Sequence, residues 1–163
     1  MKNIIKGSLI FLAVANILGS LLMTIISICT NRYFSDYENL KSLEHKELYM
    51  STDFLLIEDI YEDKGESINF YVVKGQLLSN NSKIKLISNR LEYLQPGFSK
   101  QPIYRSKLTG DFFLKDAPQK YYSTKIWNFY AMIYLKVSFY IIIGIAIYLI
   151  IRYFINRRYQ LWV

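Results

Sequence analysis

The chain has 163 residues, enough for one folded domain with anchors but not for two sizeable cores. Its net charge of +7 sits beside 52% apolar residues, and all thirteen acids fall between Asp36 and Asp116. Over residues 31–125 fourteen Lys and Arg stand against those thirteen acids, so the middle is nearly neutral and a nucleic-acid role is set aside. The surplus lies on Lys2, Lys6, Lys136, Arg152, Arg157 and Arg158, which flank or cap apolar runs and read as membrane anchors and topology determinants. With one cysteine, Cys29, and one histidine, His45, the chain has no intrachain disulfide and no thiol- or His-rich metal cluster.

Residues 1–6 form a basic N-terminus. The uncharged run over residues 7–29, about 23 residues long, is enough to cross a hydrocarbon layer of about 30 Å. Lys2 and Lys6 resemble the charged start of a signal peptide, but the apolar run exceeds the usual ~7–15 residues and no A-x-A site follows. Ile26-Ser27-Ile28-Cys29 loosely resembles a lipoprotein cleavage site, with Ile28 where a small residue is usual. An uncleaved first transmembrane helix is the expectation. Within it Ala15 and Gly19 lie one turn apart beside Asn16, a pattern that lets helices approach and hydrogen-bond.

Ser35-x-x-Glu38 has the form of a capping box, and Tyr37, Leu40, Leu43 and Leu48 recur at helical spacing. Residues 30–50 therefore read as a juxtamembrane amphipathic helix. Residues 51–118 change to the period of strands, expected at 54–61, 67–78, 83–88, 90–94, 103–107 and 112–115. Asp63-Lys64-Gly65, Asn80-Asn81-Ser82, Pro96-Gly97 and Leu108-Thr109-Gly110-Asp111 supply the turns. In 83–88, Ile84 and Leu86 point inward and Lys83 and Lys85 outward. A small antiparallel β-barrel or sandwich is the expected fold of this domain.

Residues 119–130 read as a connector with an aromatic interface, including Trp127, Phe129 and Tyr130. Residues 131–154 form the second transmembrane helix, where Lys136 and Arg152 bracket an uncharged core and reach toward the two interfaces. Lys136, Tyr140, Gly144, Tyr148 and Arg152 recur every fourth position. That stripe reads either as a pore lining or, more simply, as helix packing through Tyr140, Gly144 and Tyr148. Residues 155–163 are a basic C-terminus. The acid-free basic ends place both termini in the cytoplasm and the domain outside, across the plasma (inner) membrane. Against that stand Arg32, Lys41, Lys46, Lys115, Lys120 and Lys125 at the opposite helix ends. The expected class is thus an α+β membrane protein: two transmembrane helices flanking a small antiparallel β-domain with one short amphipathic helix.

The segments Asn69-Phe-Tyr-Val-Val-Lys-Gly-Gln76, Leu94-Gln-Pro-Gly97 and Gln101-Pro-Ile-Tyr-Arg105 occur in an order that resembles the bacterial membrane-protein domain-of-unknown-function 3592 family. Its members place a compact β-domain beside or between transmembrane helices, and the likeness covers most of residues 50–120. Phe98 replaces the acid usual after the turn, and the Asn-Pro that often follows the last tyrosine is missing. The resemblance implies an architecture and no activity.

No phosphate-binding, dinucleotide-binding or zincin motif is present, and no nucleophile–His–acid set forms around His45, which lies in a charged helical run. Glu58, Asp59, Glu62, Asp63 and Glu66 make an acidic hairpin tip whose spacing does not match a calcium loop. Catalytic residues, metal ligands and cofactors are all expected to be none. Tyr61, Tyr71, Tyr93 and Tyr104 are candidates for a binding face, with core packing as the plainer reading. The function expected is a non-enzymatic accessory that presents its β-domain to a partner membrane protein or complex. The alternative is a small homo-oligomeric channel or transport subunit, and a membrane-tethered enzyme ranks last. The partners are the lipid bilayer and a membrane protein or further copies of the chain.

Overall fold

The computed structural model describes residues 2–64, 69–88, 90, 94 and 100–160, with side chains over 5–63, 71–88, 90, 94 and 100–157. It divides into two compact units, one made of Met1–Asp36 and Tyr130–Val163, the other of Tyr37–Phe129. In chain order the elements are α1 (Lys2–Cys29), α2 (Ser35–Glu44), α3 (Lys46–Tyr49), β1 (Met50–Lys64), β2 (Asn69–Leu77), β3 (Lys83–Ser88), β4 (Lys100–Ser106), β5 (Phe112–Leu114) and α4 (Gln119–Gln160).

In the helical unit, α1 ends in a left-handed cap. Asn31 has φ of 54°, its amide bonds Ile28 O at 3.0 Å, and the Arg32 amide bonds Ser27 O at 2.9 Å. This pair of bonds closes the last turn in the manner of a Schellman motif, with Asn in place of the usual Gly. The expected capping box is not formed as such: the Ser35 hydroxyl turns back to Arg32 O at 2.7 Å. Both α1 and α4 are long and apolar enough to cross a membrane. The latter begins at Gln119, directly after Pro118, so residues 119–130 are helical. Proline at a helix start lacks the amide that would go unpaired there and presets φ.

The second unit is an α+β domain around one antiparallel sheet, ordered β3-β2-β1-β4-β5 and curled into a half-barrel. The long strand β1 is central, paired with β2 from Lys64↔Asn69 to Leu55↔Leu77 and with β4 from Met50↔Ser106 to Leu56↔Lys100. The hairpins expected around Asp63-Lys64 and around Gly110 both form; Gly110 adopts φ of +76° in the β4–β5 turn. Of the expected antiparallel barrel or sandwich, the described residues show this half-barrel sheet, with β3 and β5 at its edges among them. Among the described residues, α2 and the first turns of α4 cover part of its other face. Arg90 lies outside any strand, and residues 91–93 and 95–99, with Pro96-Gly97, lie outside the described residues.

Burial follows the pleat. The inner core consists of Leu55, Val73, Leu77, Leu86, Ile103 and Leu114, joined by Leu94 and by Tyr121 from the first turn of α4. Cross-strand register explains this set, because Val73 opposes Leu86 and Ile103 opposes Leu114. In β3, Leu86 is buried, Ile84 is half-buried, and Lys83 and Lys85 are exposed, as the alternation predicts. On the opposite face Met50 and Phe113 pack with Leu43 of α2, flanked by Tyr104, Tyr122, Ile126 and Phe129.

A bulge between Ile57 and Asp59 resets the alternation of β1, so Leu55 and Ile57 point inward before it while Tyr61 points outward after it. Gly75, opposite Ile57, makes the bulge possible. A Cβ there would overlap the Leu56 carbonyl oxygen and come within 2.9 Å of Leu55 Cδ1. Because the obstacle is backbone, Gly75→Ala is expected to destabilise the sheet by about 3 kcal/mol. Gly110→Ala, which meets only the left-handed φ penalty, is expected to cost about 1 kcal/mol. Thermal unfolding of the full chain, followed by its β-sheet circular dichroism, measures both; equal stability of Gly75→Ala and the wild type would refute the bulge argument.

Candidate functional site

The helical unit gathers its polar groups on the inside. Asn16, Ser20 and Thr24 recur at four-residue spacing along α1, so they line one face. Ser20 is 0% exposed and Thr24 1%. Asn16 Nδ2 donates to Ser138 Oγ of α4 at 3.0 Å, and the Ser20 hydroxyl is satisfied within its own helix by Ile17 O at 3.0 Å. Gly19 lies against Leu135, at a distance where an added Cβ would make an ordinary contact of 3.8 Å. The Thr24 hydroxyl has no hydrogen-bond partner among the described residues.

At the end of this seam sits an ion pair. Lys136 is 5% exposed; its ammonium lies 2.6 Å from Asp36 Oδ2 and 2.6 Å from Tyr33 O. It also lies over the Tyr33 ring, 5.1 Å from the centroid, and that ring meets Tyr140 edge-on at 6.5 Å. One carboxylate, one carbonyl and one aromatic face thus surround a cation that has left water. A buried ammonium persists only with such partners. The sequence reading sends Lys136 out to an interface, whereas the structure turns it inward. The missed partner, Asp36, has one legible mark: it is the first acid after the apolar run.

The other helix residues singled out by pattern divide. Asn16 and Gly19 are in the helix contact, while Ala15, Tyr140, Gly144 and Tyr148 are exposed, and nothing lies within 4 Å of a Cβ built on Gly144. Lys6, Arg152 and Arg157 are exposed; the side chains of Lys2 and Arg158 are outside the described set.

In the β-domain the four tyrosines do not share one face. Tyr71 packs on the inner core, Tyr104 joins the helix-covered end of the outer face, and Tyr93 lies outside the described residues. Tyr61 is on the open part of the outer face, with Lys74 Nζ 4.6 Å above its ring. Around it the sheet exposes Ile87 (56%), Phe54 (40%) and Leu56 (37%), and Lys100 sits 4.3 Å over the Phe54 ring. Tyr61, Val72 and Ile87 are cross-strand neighbours, so this surface is set by register. Nearby, Glu58 accepts from Gln76 at 2.5 Å, and Glu66 of the acidic tip is outside the described residues. His45 is exposed and meets the Tyr49 ring edge-on at 6.4 Å.

A separate polar network holds α2 on the β4–β5 turn. Asn39 Nδ2 donates to Asp111 Oδ2 at 2.7 Å, the Thr109 hydroxyl donates to Asn39 Oδ1, and the hydroxyls of Ser42 and Ser106 share a bond of 2.9 Å. Its buried members are paired, which makes it a structural clip.

The ion pair gives a double-mutant test. Asp36→Leu leaves Lys136 buried without its anion and is expected to cost about 3–5 kcal/mol, while Lys136→Met leaves the more exposed Asp36 and costs less. The double substitution, which removes both charges, is expected to regain most of that stability; additive losses in thermal unfolding would show that the two side chains act independently. No family model, curated protein or solved structure matches the chain.

Proposed function

We propose that the chain is an integral membrane protein, anchored by α1 and by residues 131–154 of α4, that presents its β-domain to a partner membrane protein and carries out no catalysis itself. The helical unit supports the anchoring. Its exposed surface is mostly Ile, Leu, Val, Phe and Tyr, while Ser20, Thr24, Lys136 and Ser138 are inside, the reverse of a water-soluble helix pair. A retained first helix fits this arrangement, since α1 supplies the Asn16 bond to Ser138 and the Gly19 contact with Leu135. With Lys136 matched to Asp36, the basic ends keep Lys2, Lys6, Arg152, Arg157 and Arg158, in accord with cytoplasmic termini and an extracytoplasmic domain at the inner membrane. A place in the domain-of-unknown-function 3592 family is part of the same proposal, carried by the order of its short motifs.

The observation that carries the partner role is the open part of the outer sheet face. Phe54, Leu56, Tyr61 and Ile87 are exposed there although the inner face has its own filled core. Apolar side chains grouped on one sheet face, rimmed by Lys74 and Lys100, are a surface suited to protein contact. A homo-oligomer built along α4 at Gly144 is the second reading, because a Cβ placed there would meet nothing within 4 Å.

Affinity capture of the full chain from native membranes in mild detergent tests both. A stoichiometric partner is expected, lost in the Leu56→Asp/Ile87→Asp variant while the β-sheet dichroism is unchanged. Recovery of the chain alone as a monomer would end both readings; a homo-oligomer dispersed by Gly144→Leu would favour the second.

A further inference from the structure

Between its apolar side chains the outer sheet face carries a group of lysines, and register places them together. Val73 and Leu86 are an inner-core pair, so the pairs on either side of it, Lys74↔Lys85 and Val72↔Ile87, fall on the outer face. Gln76↔Lys83 follows on that same face. Directly opposite residues have Cβ atoms about 4.5–5.5 Å apart, and positions two along a strand lie about 7 Å apart. Lys74, Lys83 and Lys85 are therefore one compact group. On the other side of β1, Lys100 pairs with the outward Leu56 and lies 4.3 Å over the Phe54 ring.

Like charges directly opposite one another destabilise a sheet, and Lys74↔Lys85 is such a pair. The sheet compensates only part of it. Lys74 has its ammonium 4.6 Å from the Tyr61 centroid, and on its other flank it opposes Asp59. The second acid nearby, Glu58 at the bulge, accepts from Gln76. Lys83 and Lys85 lie on β3, two strand spacings or about 10 Å from β1. Both are exposed, and neither meets a carboxylate among the described residues.

The pattern of the face defines what complements it. Rows containing Lys85 and Lys74, then Lys83, run between the apolar pair Ile87 and Tyr61 at one end and Phe54 at the other, with Leu56 beside them. A purely phosphate-bearing ligand would pair the lysines and leave the apolar side chains in water. A protein segment in which carboxylates alternate with apolar side chains satisfies both, and charge complementarity of this kind fixes register and speeds encounter. We propose that the partner lays such an acidic and apolar segment on this face, with its carboxylates at Lys83 and Lys85 and its apolar side chains against Tyr61, Ile87 and Leu56. The inference rests on the reading that the outer face receives a partner, and it names the chemistry of that contact.

The test is carbodiimide treatment of native membranes holding the full chain, which joins a lysine amine to a carboxylate in direct contact without a spacer. Peptide mass spectrometry is expected to find Lys83 or Lys85 in amide linkage to an Asp or Glu of another protein. Lys83→Gln/Lys85→Gln is expected to lower capture of that protein about three- to tenfold at low salt and to flatten its salt dependence. Lys83→Arg/Lys85→Arg is expected to keep capture while losing the linkage, because the charge stays and the amine goes. A partner captured undiminished by the Gln pair, with the β-sheet dichroism intact, overturns the proposal and leaves the partner reading standing. So does a partner joined only through other residues. Linkage of these lysines to an acid of a second copy assigns the face to self-association and overturns it as well. Recovery of the chain alone, with no partner, removes the partner reading and this inference with it.

Discussion

An ammonium in the interior of an apolar helix pair has to find an anion there, and the inner end of the helical unit is arranged around that need. Lys136 is brought inside by α4, whose neighbouring positions are apolar. Its partners come from the segment that follows α1. The left-handed Asn31 cap turns the chain back, and within the next five residues the Tyr33 carbonyl, the Tyr33 ring and Asp36 in the first turn of α2 all reach the same ammonium. The cap, the short connection and the ion pair are therefore one device. Remove the carboxylate and the cap still forms, but what it delivers is a carbonyl and a ring, too little to hold a full charge away from water.

The β-domain is governed by a different constraint, the need of one central strand to serve two faces. β1 runs Met50–Lys64 and pairs on both edges. Its early even-numbered positions, Met50 to Leu56, face away from the inner core. Met50 is covered by α2 and the first turns of α4, while Phe54 and Leu56 are left open. The bulge then changes the parity, which puts Tyr61 beside Val72 on that same outer face. The result is a sheet whose inner face is filled by its own side chains together with Leu94 and Tyr121, and whose outer face is half covered. Tyrosine positions inherit this division: Tyr71, Tyr61 and Tyr104 fall in three environments because register and bulge, not residue type, decide where each ring goes.

Much of this was legible in local pattern. The apolar runs that become α1 and the later part of α4, the hairpins at Asp63-Lys64 and Gly110, and the in–out alternation of β3 all follow from short-range chemistry. What was not legible depends on residues distant in the chain. Lys136 meets Asp36 a hundred positions away, so an outward-reaching lysine and a buried one have the same local sequence. Gly75 looks like a weak point in β2 until the bulge opposite it is known. The strand pattern gives an antiparallel curled sheet, but the strand order β3-β2-β1-β4-β5 follows from pairings between segments far apart in the chain. One missed signal was local: Pro118 marks the true start of α4 ahead of Gln119.

The two units also bear on the choice between a partner and a self-contained anchor. Along α4 the buried positions stop at Ser138; Ile142 is half-buried, and residues 143–157 are exposed throughout. In the bilayer proposed above, lipid would satisfy the Ile and Leu among these, but a tyrosine hydroxyl such as that of Tyr148 would gain from a hydrogen-bonding neighbour. Gly144, one turn earlier, leaves the room in which another helix backbone would fit. On the β-domain, the exposed Phe54, Leu56, Tyr61 and Ile87 pose the same problem in water, where grouped apolar side chains gain from being covered. Each unit thus leaves an apolar surface that its own folding does not cover. On the anchored reading proposed above, one partner with both a membrane helix and a surface facing the β-domain would meet both needs, whereas packing of the anchors among copies of the chain would answer only the first.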